Sequence, residues 1–96
     1  MDRPDYTLSD IRREIDDIDA ELVRRLAARE RLVRRAAALK SDEHAVRAPG
    51  RVDEVIGKVR ALADDAGASP EVVERVYRTM IGAFIDLELT EHRAAH

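Results

Sequence analysis

The chain has 96 residues, a net charge of −3, 39% charged residues, no cysteine, no tryptophan, two tyrosines and one phenylalanine. This length allows one domain, residues 1–96, and the lack of cysteine excludes disulfides and thiolate metal sites and fits a reducing compartment. The acidic balance argues against nucleic-acid binding, because proteins of that class carry a basic surplus on one face.

The start of the chain predicts neither a signal peptide nor a membrane anchor. Residues 1–5 lack a basic segment followed by an apolar one, and no apolar run approaches the ~20 residues of a membrane span. We therefore expect a soluble, cytoplasmic protein with no membrane partner.

The first predicted element is a long helix over residues 8–40, with Thr7, Ser9 or Asp10 as its cap. The segment contains neither glycine nor proline. Its apolar residues recur at spacings of three, four and seven, the pattern of an amphipathic helix. This apolar stripe consists of Ile11, Ile15, Ile18, Leu22, Leu26, Val33 and Ala36.

Two cations lie within the stripe. At about 100° per residue, Arg29 and Lys40 project within roughly 40° of the centre of the stripe. They are eleven residues apart on what the pattern predicts to be one unbroken helix. An unpaired buried charge is costly, so two cations on an apolar face suggest an anionic ligand inside the fold.

The predicted first helix also contains consecutive arginines, such as Arg34-Arg35, for which we do not infer a ligand. Many have acidic residues three or four positions away, which is typical of ion pairs on a solvated helix face.

The second half of the chain predicts a loop and two shorter helices. Residues 41–50 contain serine, aspartate, proline and glycine and are interpreted as a loop, followed by a helix over residues 51–66. Gly67 is a natural terminator, and Ser69-Pro70 is a cap followed by proline at the first helical position. The apolar face of the second helix comprises Val52, Val55, Ile56, Val59, Leu62 and Ala63.

The third helix extends to about Arg93 and places one acid beside its apolar face. That face comprises Val73, Val76, Tyr77, Met80, Ile81, Phe84, Leu87 and Leu89. On a helical projection Glu88 falls at its edge. Glu91 points the same way, but it lies near the end of the helix where water is available, so we do not select it.

The length of the first helix predicts a dimer. It would be about 50 Å long, whereas a compact chain of this size is roughly 30 Å across. A second copy must therefore cover the stripe, and a two-fold homodimer is the simplest closed solution. Arg12, at the flank of the stripe, is placed to reach across such a dimer.

The combination of Arg12, Arg29, Lys40, Arg51 and Glu88 resembles the all-helical chorismate mutase family over residues 8–92. The resemblance implies an all-α fold, in which a three-helix chain with one very long N-terminal helix forms an intertwined two-fold homodimer. It also implies a small dicarboxylate substrate, chorismate, which rearranges to prephenate in a pericyclic step without any cofactor.

The resemblance assigns a role to each of these residues. Arg29, with Arg12 of the other protomer, would bind the two carboxylates. Lys40 would hydrogen-bond the ether oxygen and touch a carboxylate. Arg51 would close over the site with the preceding loop, and Glu88 would approach the ether oxygen from the opposite side.

Three positions depart from the usual pattern of the family. Glu88 stands where glutamine is common, so it must be protonated to assist the departing oxygen, which burial favours and nearby cations oppose. Val52 stands where many members carry a glutamate that contacts the ring hydroxyl, and Phe84 stands where a small or polar residue is frequent.

Other functions stay open. Residues 48–52 resemble the loop of isochorismate pyruvate lyases, which form salicylate, and other relatives rearrange 4-amino-4-deoxychorismate. A non-catalytic helical dimer would explain the stripe equally well, and Glu88 would then pair with His92 on the surface. The three histidines, His44, His92 and His96, have no ligand spacing, so we predict no metal site.

Overall fold

The computed structural model describes residues 5–95, and the sequence predictions for residues 1–4 and for His96 lie outside this part. The described residues form four helices and no strand, which confirms the all-helical prediction. The helices are α1 Leu8–Ala37, α2 Glu43–Arg47, α3 Pro49–Ala66 and α4 Pro70–Ala95. None of them combines the length and apolar character needed to cross a membrane.

The chain divides into two compact units, Met1–Leu32 and Val33–His96. The described part of the first unit, residues 5–32, contains most of α1, and Thr7 forms the predicted cap at the start of this helix. The Asp10 amide donates to Thr7 Oγ1 at 3.3 Å, and the Thr7 amide donates to Asp10 Oδ2 at 2.8 Å. These reciprocal bonds satisfy two backbone donors that a helix start otherwise leaves without partners.

The apolar stripe of α1 forms on a regular helix, as the periodicity predicts, but it is not buried. No residue of α1 is buried within the chain. The exposed side chains of the stripe include Ile11, Ile15, Ile18, Leu22 and Leu26. Cover by a second copy of the chain stays a prediction.

The predicted end of the first helix at Lys40 is wrong by three residues. α1 ends at Ala37, and the Leu39 and Lys40 amides then donate three residues back, to Ala36 at 3.0 Å and Ala37 at 3.1 Å. This tighter turn ends the helix because the backbone at Asp42 must become extended to cap the next one. The projection that aligned Lys40 with Arg29 therefore does not extend to Lys40.

The segment predicted as a loop contains a fourth, five-residue helix. Asp42 accepts a hydrogen bond from the Ala45 amide at 2.8 Å, which starts α2, and Val46 is only 2% exposed. The three predicted long helices are confirmed, but α2 was missed because five residues are too few to show a helical period.

The joints between the last three helices are short. Ala48, in the left-handed region at φ 38°, joins α2 to α3, so α3 begins at Pro49 rather than at the predicted Arg51. Gly67 ends α3 with φ 76°, as predicted. Ser69 caps α4 through a bond from the Val72 amide to its Oγ at 3.4 Å, also as predicted.

The hydrophobic core of the second unit lies where α3 and α2 pack against α4. It consists of Val46, Ile56, Val59, Ala63, Ile81 and Leu89. Leu62 and Val76, which the periodicity also assigned to apolar faces, are exposed. The apolar faces of α3 and α4 are therefore wider than the surface that each helix covers on the other.

A charged network links α3 to the first half of α4. Arg78 and Arg60 donate to the Glu74 carboxylate at 2.7 and 2.8 Å. These two hydrogen bonds hold the pKa of Glu74 below its ordinary value.

Candidate functional site

The structure brings Lys40 and Glu88 together. Lys40 Nζ lies 3.3 Å from Oε1 and 3.4 Å from Oε2 of Glu88, forty-eight residues along the chain. Glu88 is 3% exposed and is the buried charged side chain of the described residues. The sequence placed Glu88 at the edge of an apolar face, and the ammonium opposite supplies the charge that such a buried carboxylate requires.

The elements on either side explain why this pair forms. Glu88 lies seven residues, or about two turns, after the buried Ile81 on the same face of α4, so the face that anchors the core also directs the carboxylate inward. Lys40 follows the tight turn at the end of α1, and its side chain remains 26% exposed. The ammonium therefore reaches the carboxylate from the solvent side of the core.

A cavity of about 280 Å³ surrounds this pair. Its wall consists of Arg34, Ala37, Ala38, Lys40, Glu88, Glu91, His92 and Ala95. All of these residues belong to the second unit. The lining combines two basic and two acidic side chains with small alanine side chains, so it offers both hydrogen-bond donors and acceptors to a ligand.

Arg34 and Glu91 line the cavity, although neither was selected from the sequence. Arg34 forms an ion pair with Glu91 of α4, and both side chains are less than half exposed. At 43% and 42% exposure both side chains keep contact with solvent, as the sequence analysis expected, while they also line the cavity. The available signal was the three-residue spacing of Glu88 and Glu91, which places two acids on one helix face.

His92 lies in the same wall, one turn beyond Glu88. The alternative interpretation of Glu88 as a surface partner of His92 is wrong in its premise, because Glu88 is buried and both of its oxygens accept from Lys40. His92 adds an imidazole ring to the cavity wall.

The three remaining predicted site residues are not among those that line the cavity. Arg12 is exposed and Arg29 half-buried, both in the first unit. Arg51 lies in the first turn of α3, with a side chain 61% exposed and its guanidinium bound to Glu54. That hydrogen bond lowers the pKa of Glu54. The structure thus directs Arg51 to Glu54, and its closure over a ligand stays a prediction.

A second ion pair attaches α2 to α4 near the cavity. Arg93 Nη2 lies 2.6 Å from Glu43 Oε1, and Arg93 Nε lies 3.4 Å from Glu43 Oε2. The hydrogen bond from Arg93 holds the pKa of Glu43 below its ordinary value. Two parallel bonds from one guanidinium to one carboxylate fix direction as well as distance.

Residues 11–89 match the family model described as chorismate mutase type II. The chain belongs to the chorismate mutase type II family. The matched range includes Arg12, Arg29, Lys40, Arg51 and Glu88, so all five residues that carried the resemblance lie inside it.

Two curated proteins are similar to this family member. A bifunctional chorismate mutase/prephenate dehydratase of Aquifex aeolicus is 34% identical over 85 residues, which is 84% of this chain but 24% of that protein. An isochorismate pyruvate lyase of Pseudomonas aeruginosa is 33% identical over 78 residues, 81% of this chain and 77% of that protein. The chain thus spans about a quarter of the first relative and most of the second.

Proposed function

We propose that this chain is a chorismate mutase, an isomerase that converts chorismate to prephenate. The observation that carries the proposal is the cation–carboxylate pair of Lys40 and Glu88 in the cavity wall of a chain that belongs to this family. Membership supports a reaction of chorismate mutase type, and the choice of chorismate as substrate is our inference.

The reaction needs a folded substrate and charge stabilisation, but no proton transfer or cofactor. The ether bond to the ring breaks while a carbon–carbon bond forms within the same molecule, and negative charge builds on the departing oxygen. A fixed ammonium at Lys40 stabilises that charge, and cations around the substrate carboxylates hold the reactive conformer.

The remaining roles follow the resemblance and form part of the proposal. Arg29 and Arg12 from a second copy of the chain bind the two carboxylates in a homodimer. Arg51 exchanges Glu54 for the ligand when the site closes. The exposed stripe of α1 supports the homodimer, because an apolar face of this length is rarely left in water.

Glu88 is the position at which this site departs from the glutamine that is common in the family. A carboxylate cannot donate a hydrogen bond to the ether oxygen, whereas an amide can. We expect the Glu88→Gln variant to have a higher kcat with chorismate than the wild type. A variant slower than the wild type would contradict this role of Glu88.

A second candidate is an isochorismate pyruvate lyase. Two observations favour it. The similar isochorismate pyruvate lyase of Pseudomonas aeruginosa is covered over 77% of its length by this chain, and residues 48–52 resemble the loop of such lyases. This reaction also needs cations around a dicarboxylate and a departing ether oxygen, so the same cavity suits both reactions.

The deciding experiment incubates the purified protein with chorismate and with isochorismate in separate reactions. Loss of chorismate absorbance with formation of prephenate supports the mutase. If salicylate forms from isochorismate with a higher catalytic efficiency than prephenate forms from chorismate, the protein is an isochorismate pyruvate lyase and not a chorismate mutase. If neither substrate reacts, a malate titration decides between an unrecognised enzyme and a non-catalytic dimer, because only a preformed cationic pocket raises the melting temperature.

A further inference from the structure

The segment that follows Lys40 depends on tertiary contacts for its position. α2 has five residues, far fewer than the roughly 12 that an isolated helix needs to persist in water. Its direction is therefore set by what it touches on α4, and Lys40 lies three residues before its first residue.

Two contacts hold α2 on α4. Val46 is 2% exposed and provides an apolar anchor for the segment. The forked ion pair of Glu43 and Arg93 provides a directional contact on the solvent side. Apolar burial is non-directional and lets α2 slide or rotate on α4, whereas a bidentate ion pair restricts both movements. Val46 therefore holds α2 on α4, and the ion pair sets its position there.

The charges of the two surfaces define a single register. Along the segment the order is cation at Lys40 and then anion at Glu43, and along α4 it is anion at Glu88 and then cation at Arg93. Sliding the segment along α4 brings Lys40 towards Arg93 or Glu43 towards Glu88. Both displacements oppose like charges, which makes the observed pairing the favoured one.

We propose that Glu43 and Arg93 are positioning residues, which set the place where the Lys40 ammonium meets Glu88 and hence the ammonium's aim at the reacting oxygen. The proposal rests on the proposed function of the Lys40 site. Neither residue lines the cavity, so both act through Lys40 and not on the substrate. Small misplacements of a charged group are costly in catalysis, even where the supporting contact adds little stability.

The kinetic test compares Glu43→Gln, Arg93→Gln and the double variant with the wild type. Each single variant is expected to lower kcat about threefold with KM nearly unchanged, because an exposed pair supports only a modest bias in geometry. The double variant should lose no more than either single one, since the two side chains act as one unit. Unchanged kcat in both single variants, or additive losses in the double variant, would overturn the proposal.

Arg60→Gln is the matched control. Arg60 joins Glu74 at 2.8 Å across α3 and α4, so the variant removes an interhelical pair that does not touch the Lys40 segment. With exposures of 40% and 26%, against 58% and 46% for Arg93 and Glu43, this pair is the less exposed of the two and makes the control a strict one. We expect its kcat to match the wild type. A loss equal to that of Arg93→Gln would show that any interhelical ion pair has this effect, and would refute a positioning role.

Amide hydrogen exchange separates this proposal from the proposed function. The Val46 amide donates to Asp42 at 3.2 Å and the Ala48 amide to His44 at 2.9 Å, so both report on α2. Their protection should fall several-fold in Glu43→Gln and Arg93→Gln but not in Arg60→Gln. If the wild type rearranges neither chorismate nor isochorismate, this measurement still decides whether the pair holds α2, and equal protection in all variants would reject it.

Discussion

The two units of this chain use the same kind of amphipathic pattern with opposite results. In the second unit the apolar faces of α3 and α4 are buried against each other, and charges near the core pair between distant segments, as at Lys40 and Glu88. In the first unit the apolar stripe of α1 is fully formed yet exposed. A periodic pattern thus specifies which face of a helix is apolar, but burial also requires a partner surface.

The largest expected effect comes from placing a charge on the exposed stripe. If a second copy covers α1, Leu22→Glu puts an unpaired carboxylate in the interface, at a cost of several kcal/mol, and the dimer dissociates. Ala20→Glu introduces the same charge about 180° away on the helix and serves as the control. Sedimentation of both variants checks this, and equal masses for Leu22→Glu and the wild type would leave the stripe without its proposed partner.

The next effect concerns the buried pair of the second unit. Lys40→Met leaves Glu88 buried without its cation and should destabilise the fold by about 3 kcal/mol, the lower end for a broken buried pair because Lys40 is 26% exposed. Lys58→Met removes an exposed partner of Glu54 and should change stability far less. Urea unfolding of both variants compares them, and equal midpoints would mean that Glu88 does not depend on Lys40.

A smaller effect tests the core contact of α2. Val46→Ala removes two buried methyl groups and should cost about 2 kcal/mol, whereas Leu62→Ala, at an exposed position, should stay within about 0.5 kcal/mol. Thermal unfolding is sufficient to measure this difference. A Leu62→Ala variant as unstable as Val46→Ala would show that Leu62 is covered in solution.

The smallest expected effect is on the pH dependence of stability. Hydrogen bonds from Arg93 and Arg78 lower the pKa values of Glu43 and Glu74 in the folded chain below 4.5. A lowered folded pKa adds stability above the unfolded value and loses it as pH falls through the folded value. The melting temperature should therefore fall modestly from pH 5 towards pH 3, and Glu74→Gln should make that fall shallower. An unchanged slope in this variant would show that the Glu74 network is not formed in solution.

Much of the fold could be predicted because its signals are local. Thr7, Ser69 and Gly67 mark helix ends through bonds within a few residues, and the apolar period marks the long helices. The position of α2 could not be predicted, because a five-residue helix shows no helical period and depends on its packing against α4.

The candidate site was predictable to the same limited degree. Glu88 was recognisable as an acid beside an apolar face, and its contact with Lys40 agrees with the charges assigned to that site. Arg34 and Glu91 were not recognised, since surface-like arginines and helix-end acids look alike until the facing helix is known. The pairing of two such residues is a property of the packed chain and not of either segment.

Ala48 gives the chain an elbow made of a single residue. A left-handed backbone costs an alanine about 1 kcal/mol relative to its ordinary conformations, and the following Pro49 restricts it to extended ones when it relaxes. The contacts of α2 with α4 therefore offset a local backbone strain at Ala48. If those contacts release, Ala48 can relax to an extended backbone, and α2, which is too short to persist alone, loses its helical form.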